Sequence, residues 1–110
     1  MSDLAQRHCV PCGGGVPPLD SAAATALLEQ LGGGWCVEGG HHHLHKVYRF
    51  PDFAQALEFT NSVGAIAEAE GHHPDIVLAW GRVELNIWTH AIDGLTESDF
   101  VLAARCDAAL

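Results

Sequence analysis

Positive charge is scarce in this chain: five Lys and Arg stand against 14 Asp and Glu, a formal net charge of −9. Such a surface repels phosphate backbones and anionic lipid headgroups. It argues against direct nucleic-acid or membrane binding, and a small neutral substrate is indifferent to it. Long apolar runs are also missing. None approaches the roughly 20 residues that cross a bilayer, and Met1 to Arg7 lacks the apolar stretch of a secretory signal. The four cysteines, at 9, 12, 36 and 106, do not form a disulfide framework. A reducing, cytoplasmic location is therefore expected. Cys9-Val10-Pro11-Cys12 is a single CxxC beside His8, whereas structural zinc usually draws on two such pairs. Gly13-Gly14-Gly15 follows it, where a redox motif would want a helix. Incidental thiols in a tail are favoured over a metal or redox role.

What is present points to one ordered domain. The chain has 110 residues, 48% of them hydrophobic, enough for a modest core. Residues 1–18 read as a flexible N-terminal tail, because Gly and Pro are frequent there and no apolar period occurs; residues 19–110 read as the domain. A helix is predicted from about Asp20 to Leu31, capped by Asp20 or Ser21 and stopped by Gly32-Gly33-Gly34. A hairpin follows, with strands Trp35–Glu38 and Leu44–Phe50. Pro51 and Asp52 open the longest helix, which Gly71 ends after Glu70. Strands Asp75–Trp80 and Val83–His90 come next, then a helix from Thr96, where Thr96 and Asp99 have capping-box spacing. The order α-β-β-α-β-β-α predicts an α+β fold: an antiparallel sheet with helices on one face.

Three histidines stand out: His72 and His73 after the long helix, and His90 at the end of the last strand. Imidazole can both give and take a proton near neutral pH. With Gly81-Arg82 as the hairpin loop, Leu78 faces Leu85 and Ile76 faces Ile87; a one-residue slip would spoil that buried face. Continued past Asp75, this register sets His73 opposite His90. Pro74 interrupts the ladder, yet it also holds His73 extended. The helix corner and the strand end are expected on one edge of the sheet, with the three imidazoles around one pocket. A second group, His41, His42, His43 and His45, falls at the first hairpin turn. His43 and His45 share a strand face that could hold a metal ion, but a solvated turn is favoured.

The run Glu68-Ala69-Glu70-Gly71-His72-His73-Pro74-Asp75-Ile76, then Val83, Leu85, Thr89-His90, Gly94-Leu95-Thr96 and Asp99, resembles the pterin-4a-carbinolamine dehydratases. Pro17-Pro18-Leu19, Gly34-Trp35 and the aromatic series Tyr48, Phe50, Phe53 with Asp52 fit as well, so the resemblance spans about residues 17–108. It implies a four-stranded antiparallel sheet with three helices on one face. It also implies a lyase that dehydrates a 4a-hydroxytetrahydropterin, such as 4a-hydroxytetrahydrobiopterin, to quinonoid dihydropterin and water during tetrahydropterin recycling. The 4a-hydroxyl leaves readily only when protonated, and a ring-nitrogen proton must depart; both steps suit imidazole acid–base catalysis. By resemblance His72 and His90 form the acid–base pair and His73 binds and orients the pterin. Asp99 is a supporting carboxylate or a helix cap, and Trp35 is a site wall or a core aromatic. No metal and no cofactor are implied. Gly71 replaces a larger polar residue of many members, and Lys46 stands near a frequent arginine.

The resemblance also implies a homodimer or homotetramer. A rival reading comes with it: some relatives are dimerisation cofactors for transcription factors, and some dehydratase-like proteins are assembly factors. The three histidines kept here favour the enzyme. Which pterin side chain and stereoisomer is used is not legible in the sequence.

Overall fold

The computed structural model describes residues 4–9, 17–39 and 42–110. Its elements are α1 (Ser21–Leu31), β1 (Cys36–Glu38), β2 (His43–Arg49), α2 (Phe53–Glu70), β3 (Asp75–Ala79), β4 (Arg82–Ile87) and α3 (Glu97–Ala108), with 3₁₀ turns at Leu4–Gln6 and His90–Ile92. The four strands form one antiparallel sheet in the order β1-β2-β4-β3. The fold is α+β, with the three helices on one face, as the pattern of elements predicted.

Local chemistry sets the helix ends. Asp20 caps α1, accepting the Ala23 amide at 2.8 Å. Asp52 caps α2 through the Gln55 amide at 2.8 Å, which leaves Pro51 outside the helix rather than in its first turn. Gly71 closes α2 in the left-handed region (φ 64°, ψ 31°), where a side chain would be strained. That turn sends His72 away from the helix axis, and the His72 amide bonds the Ala67 carbonyl at 3.1 Å.

Leu44, Tyr48, Val83, Leu85 and Ile87 are buried on the covered side of the sheet. Helix α3 is buried on almost every side, with Ser98 to Ala104 and Cys106 all buried, because the sheet, α1, α2 and the Leu4–Gln6 turn surround it. Burying a side chain such as Phe100 or Leu102 contributes about 1.5–3 kcal/mol.

Part of the expected tail is docked rather than loose. Leu4 is fully buried in the core. The Arg105 guanidinium bonds the Arg7 carbonyl, with Nε at 2.8 Å. Glu70, at the end of α2, accepts the Cys9 amide at 2.8 Å and lies 3.1 Å from the His8 ring. Residues 1–3 and 10–16, with Cys12 and the glycine run, lie outside the described residues, as do Gly40 and His41. The Cys9 amide, then His8, hold the Glu70 carboxyl below its ordinary value of 4.5. A depressed carboxyl contributes stability above its unfolded value and loses it as pH falls through the folded one. The docked segment is therefore expected to loosen below about pH 4.5, and in Glu70→Gln at neutral pH. Cys9 amide hydrogen exchange measures this; unchanged protection in both would exclude the Glu70 anchor.

The β3–β4 register departs from expectation. Ile76 pairs with Leu85 and Leu78 with Val83, so the two-residue loop is Trp80-Gly81, not Gly81-Arg82. The displacement is two residues. The pleat repeats every two residues, so the same apolar side chains still face the core. The Phe50 backbone fixes the loop: its amide bonds the Gly81 carbonyl at 2.9 Å, and a Cβ on Gly81 would sit 2.7 Å from the Phe50 carbonyl oxygen. Extended to the corner, this register sets Trp88, not His90, opposite His73. Strand β4 also stops early, and His90 opens a 3₁₀ turn.

Candidate active site

At the corner after α2, a cleft of about 280 Å³ is lined by Gly71, His72, His73, Trp88, Thr89, His90 and Ala91. The three predicted histidines share this one cleft, by a route different from direct cross-strand pairing. A β-bridge between Thr89 and Gly94 pinches off the turn that carries His90. The Thr89 amide bonds the Gly94 carbonyl at 2.9 Å, and the Leu19 amide ties the next residue, Leu95, to the start of the domain at 2.8 Å.

His72 is the most constrained of the three. Its side chain is 13% exposed, and Nε2 lies 2.5 Å from Asp99 Oδ1. Asp99 itself is fully buried. Its other oxygen, Oδ2, accepts the Thr96 amide at 2.8 Å and the Thr89 hydroxyl at 2.9 Å. Thr89 and Thr96 hydroxyls stand 3.0 Å apart. One carboxylate thus caps α3 with one oxygen and meets an imidazole with the other. An ionised carboxylate only accepts, so His72 Nε2 carries the proton and donates to Asp99, which leaves Nδ1 without one.

His73 is more open. Its side chain is 58% exposed, and Nε2 bonds Glu68 Oε2 at 2.5 Å. The His90 ring is exposed and lies 4.4 Å from the Trp88 ring, tilted by 58°. The Trp88 ring also meets those of His42, at 5.6 Å, and His43, at 5.9 Å.

Trp35 is not among the cleft residues. It is buried, its indole Nε1 donating to Asp107 Oδ2 at 3.0 Å and its ring edge-on to Tyr48. Asp99 and Asp107 both belong to α3, eight residues apart, which is about 12 Å along the axis. A buried indole needs an acceptor, and the one it finds is at the far end of that helix. Core aromatic is thus the role this chain gives Trp35. Trp88, by contrast, was given no site role from the sequence, and Glu68 and Thr89 entered only as part of the family pattern. The signal for Trp88 was a tryptophan on the polar side of β4, in line with Glu84 and Asn86.

The described members of the second histidine group, His42, His43 and His45, lie against carboxylates. His45 Nε2 lies 2.7 Å from Glu84, His43 Nε2 3.8 Å from Glu38, and His42 Nε2 2.7 Å from Asp93. Among the described residues no group of three His, Cys, Asp or Glu is arranged to hold a metal. Burial first, then the Glu70 charge, push the Cys9 thiol up to about 12. It donates to the Ser98 carbonyl at 3.4 Å.

A sheet backed by three helices, with a histidine-lined cleft at the helix-to-strand corner, is the α+β scaffold and candidate site of this chain. The sequence model of the pterin 4 alpha carbinolamine dehydratase family matches residues 17–109, and the chain belongs to that family. A relative in Rickettsia bellii is 53% identical over 105 residues, covering 94% of this chain and 91% of its own. One in Rubrobacter xylanophilus is 53% identical over 107 residues, covering 97% and 98%. Both carry the pterin-4-alpha-carbinolamine dehydratase name provisionally. Among solved structures, a transcriptional coactivator/pterin dehydratase from Brucella melitensis superposes with a TM-score of 0.78, at 29% identity over 84% of this chain and 97% of that one. A pterin dehydratase-like RuBisCO assembly factor of the alpha-carboxysome superposes with a TM-score of 0.62, at 28% identity over 72% and 92%. No helix among the described residues is long and apolar enough to cross a membrane.

Proposed function

We propose that this protein dehydrates a 4a-hydroxytetrahydropterin to quinonoid dihydropterin and water by histidine general acid–base catalysis. The observation that carries the reading is the meeting of His72, His73 and His90 around one cleft, with His72 held from behind by buried Asp99. Its volume is near the lower end, roughly 300 Å³, of small-molecule pockets, a match for a flat bicyclic ring. In the reaction the C4a–O bond breaks and the hydroxyl takes up a proton to leave as water. A ring N–H gives up its proton, and its electron pair forms the new C=N bond. His72, with Nδ1 available, and His90, across the cleft, serve as the base and acid pair; His73 binds and orients the ring. Neither a metal nor a cofactor enters the scheme. The setting is the cytoplasm, and the assembly is a homodimer or homotetramer.

Stopped-flow mixing with enzymatically generated 4a-hydroxytetrahydropterin tests this. The unmodified protein is expected to accelerate dehydration. His72→Ala and His90→Ala are each expected to lower kcat about 10²–10⁴-fold. His73→Ala is expected mainly to raise KM, with oligomer size unchanged. A second reading, a protein-binding or assembly role, is favoured by the likeness to the RuBisCO assembly factor. An unmodified protein without any acceleration would decide for it.

A further inference from the structure

The turn between β1 and β2 is not part of the cleft, yet it is fastened to the wall that carries His90. His42 Nε2 donates to Asp93 Oδ1 at 2.7 Å, and Asp93 follows directly on the 3₁₀ turn His90–Ile92. Asp93 is the one non-glycine with positive φ among the described residues, at 54°. Its amide bonds the His90 carbonyl at 3.3 Å. A side chain in the left-handed region carries strain, which persists where surrounding contacts hold it. The His42 ring also packs on Trp88, and Trp88 packs on His90. Two contacts from His42 therefore converge on the His90 turn, one through a hydrogen bond and one through an indole.

We propose that His42 is a positioning residue for His90, acting through Asp93 and Trp88. It touches no reacting atom. Its effect is to restrict where the His90 imidazole stands relative to His72, and misplacing a catalytic group by about 1 Å can cost about 10²-fold in rate. His43 lies against the His42 ring at 5.7 Å, and the Glu38 backbone carbonyl accepts the His42 amide at 3.0 Å. They hold the turn without reaching Asp93. The assignment of His90 as a catalytic group rests on the proposed dehydration.

The test compares His42→Ala with His42→Gln, whose amide can reach Asp93 but lacks the ring. His42→Ala is expected to lower kcat about tenfold with KM little changed, and His42→Gln to recover part of that loss. A second readout needs no substrate: the His90 ring 1H–13C resonances and the Trp88 indole N–H resonance should move in His42→Ala while those of His72 stay. Unmoved His90 and Trp88 resonances would overturn the proposal, as would a fall in melting temperature with kcat intact. Should the unmodified protein lack dehydratase activity, the proposed function fails, and the resonances alone decide whether His42 positions His90.

Discussion

Asparagine at position 99 is expected to lower the dehydration rate about 10²–10⁴-fold while leaving the fold in place. Asp99 serves two masters with two equivalent oxygens: Oδ2 takes the Thr96 amide and Thr89 hydroxyl, and Oδ1 takes His72 Nε2. Asparagine has only one acceptor oxygen. The Thr96 amide is a backbone donor at a helix start and cannot turn away, so the oxygen stays with it and the amide NH₂ faces His72. His72 Nε2 must then accept, which moves the ring proton to Nδ1. The imidazole keeps its place but presents a donor where the reaction needs a base. Two measurements separate this from simple damage. Ring 15N shifts of His72 should report the exchanged tautomer, and circular dichroism should stay that of the parent. Asp99→Ala, by contrast, strips partners from buried Thr89 and Thr96 and is expected to cost about 2–4 kcal/mol of stability as well. Full activity in Asp99→Asn would mean that His72 is not the base, and a single histidine pair, His73 with His90, would have to do the chemistry.

Much of this arrangement was legible in the chain because it is written in local chemistry. Asp20 and Asp52 mark helix starts by accepting amides three residues on, Asp99 marks one by accepting the Thr96 amide three residues back, and Gly71 marks a helix end by its φ. The burial alternation of β4 follows its apolar alternation residue by residue. The corner bearing His72 and His73 and the strand end bearing His90 came from those boundaries. What was not legible depends on contacts remote in sequence. A two-residue slip between β3 and β4 leaves the apolar faces unchanged, so hydrophobic pattern cannot detect it; the decision falls to Phe50, which meets Gly81 from another strand's end. For that reason the observed register, continued past Asp75, sets Trp88 rather than His90 opposite His73. Docking of the first described residues has no periodic signal either. One leucine, Leu4, fills the core, and Glu70 and Arg105 hold the backbone around it. Trp35 could be read from the sequence as a site wall or a core aromatic; its place turns on Asp107, which accepts its buried indole from the end of α3.

That acid is also where stability is expected to be most sensitive. Asp107 Oδ1 accepts Lys46 Nζ at 2.7 Å and the Tyr48 hydroxyl at 2.5 Å, while Oδ2 accepts the Trp35 indole at 3.0 Å. Burial, then the bond and charge of Asp107, hold the Tyr48 phenol protonated well above its usual range, so it remains a donor. The Lys46 ammonium lies 4.5 Å from the Tyr48 ring centroid and 5.7 Å from that of Trp35. Gly33 completes the enclosure: a Cβ there would stand 2.7 Å from Asp107 Oδ2. Asp107→Ala leaves three donors facing each other, one of them charged. Removing one partner of a buried pair costs about 3–5 kcal/mol; here the side chains of Lys46 and Asp107 keep 15% and 24% exposure, so the expected loss is about 2–3 kcal/mol. For a domain of this size that is roughly 10–20 °C in melting temperature. Lys46→Met in the Asp107→Ala background should recover part of it, because the stranded charge goes while the Trp35 and Tyr48 donors still lack an acceptor. Thermal and urea melts of the two variants measure both steps. A loss below about 0.5 kcal/mol in Asp107→Ala, the range of an ordinary surface substitution, would show that water satisfies these donors and that the far end of α3 is not closed by this carboxylate.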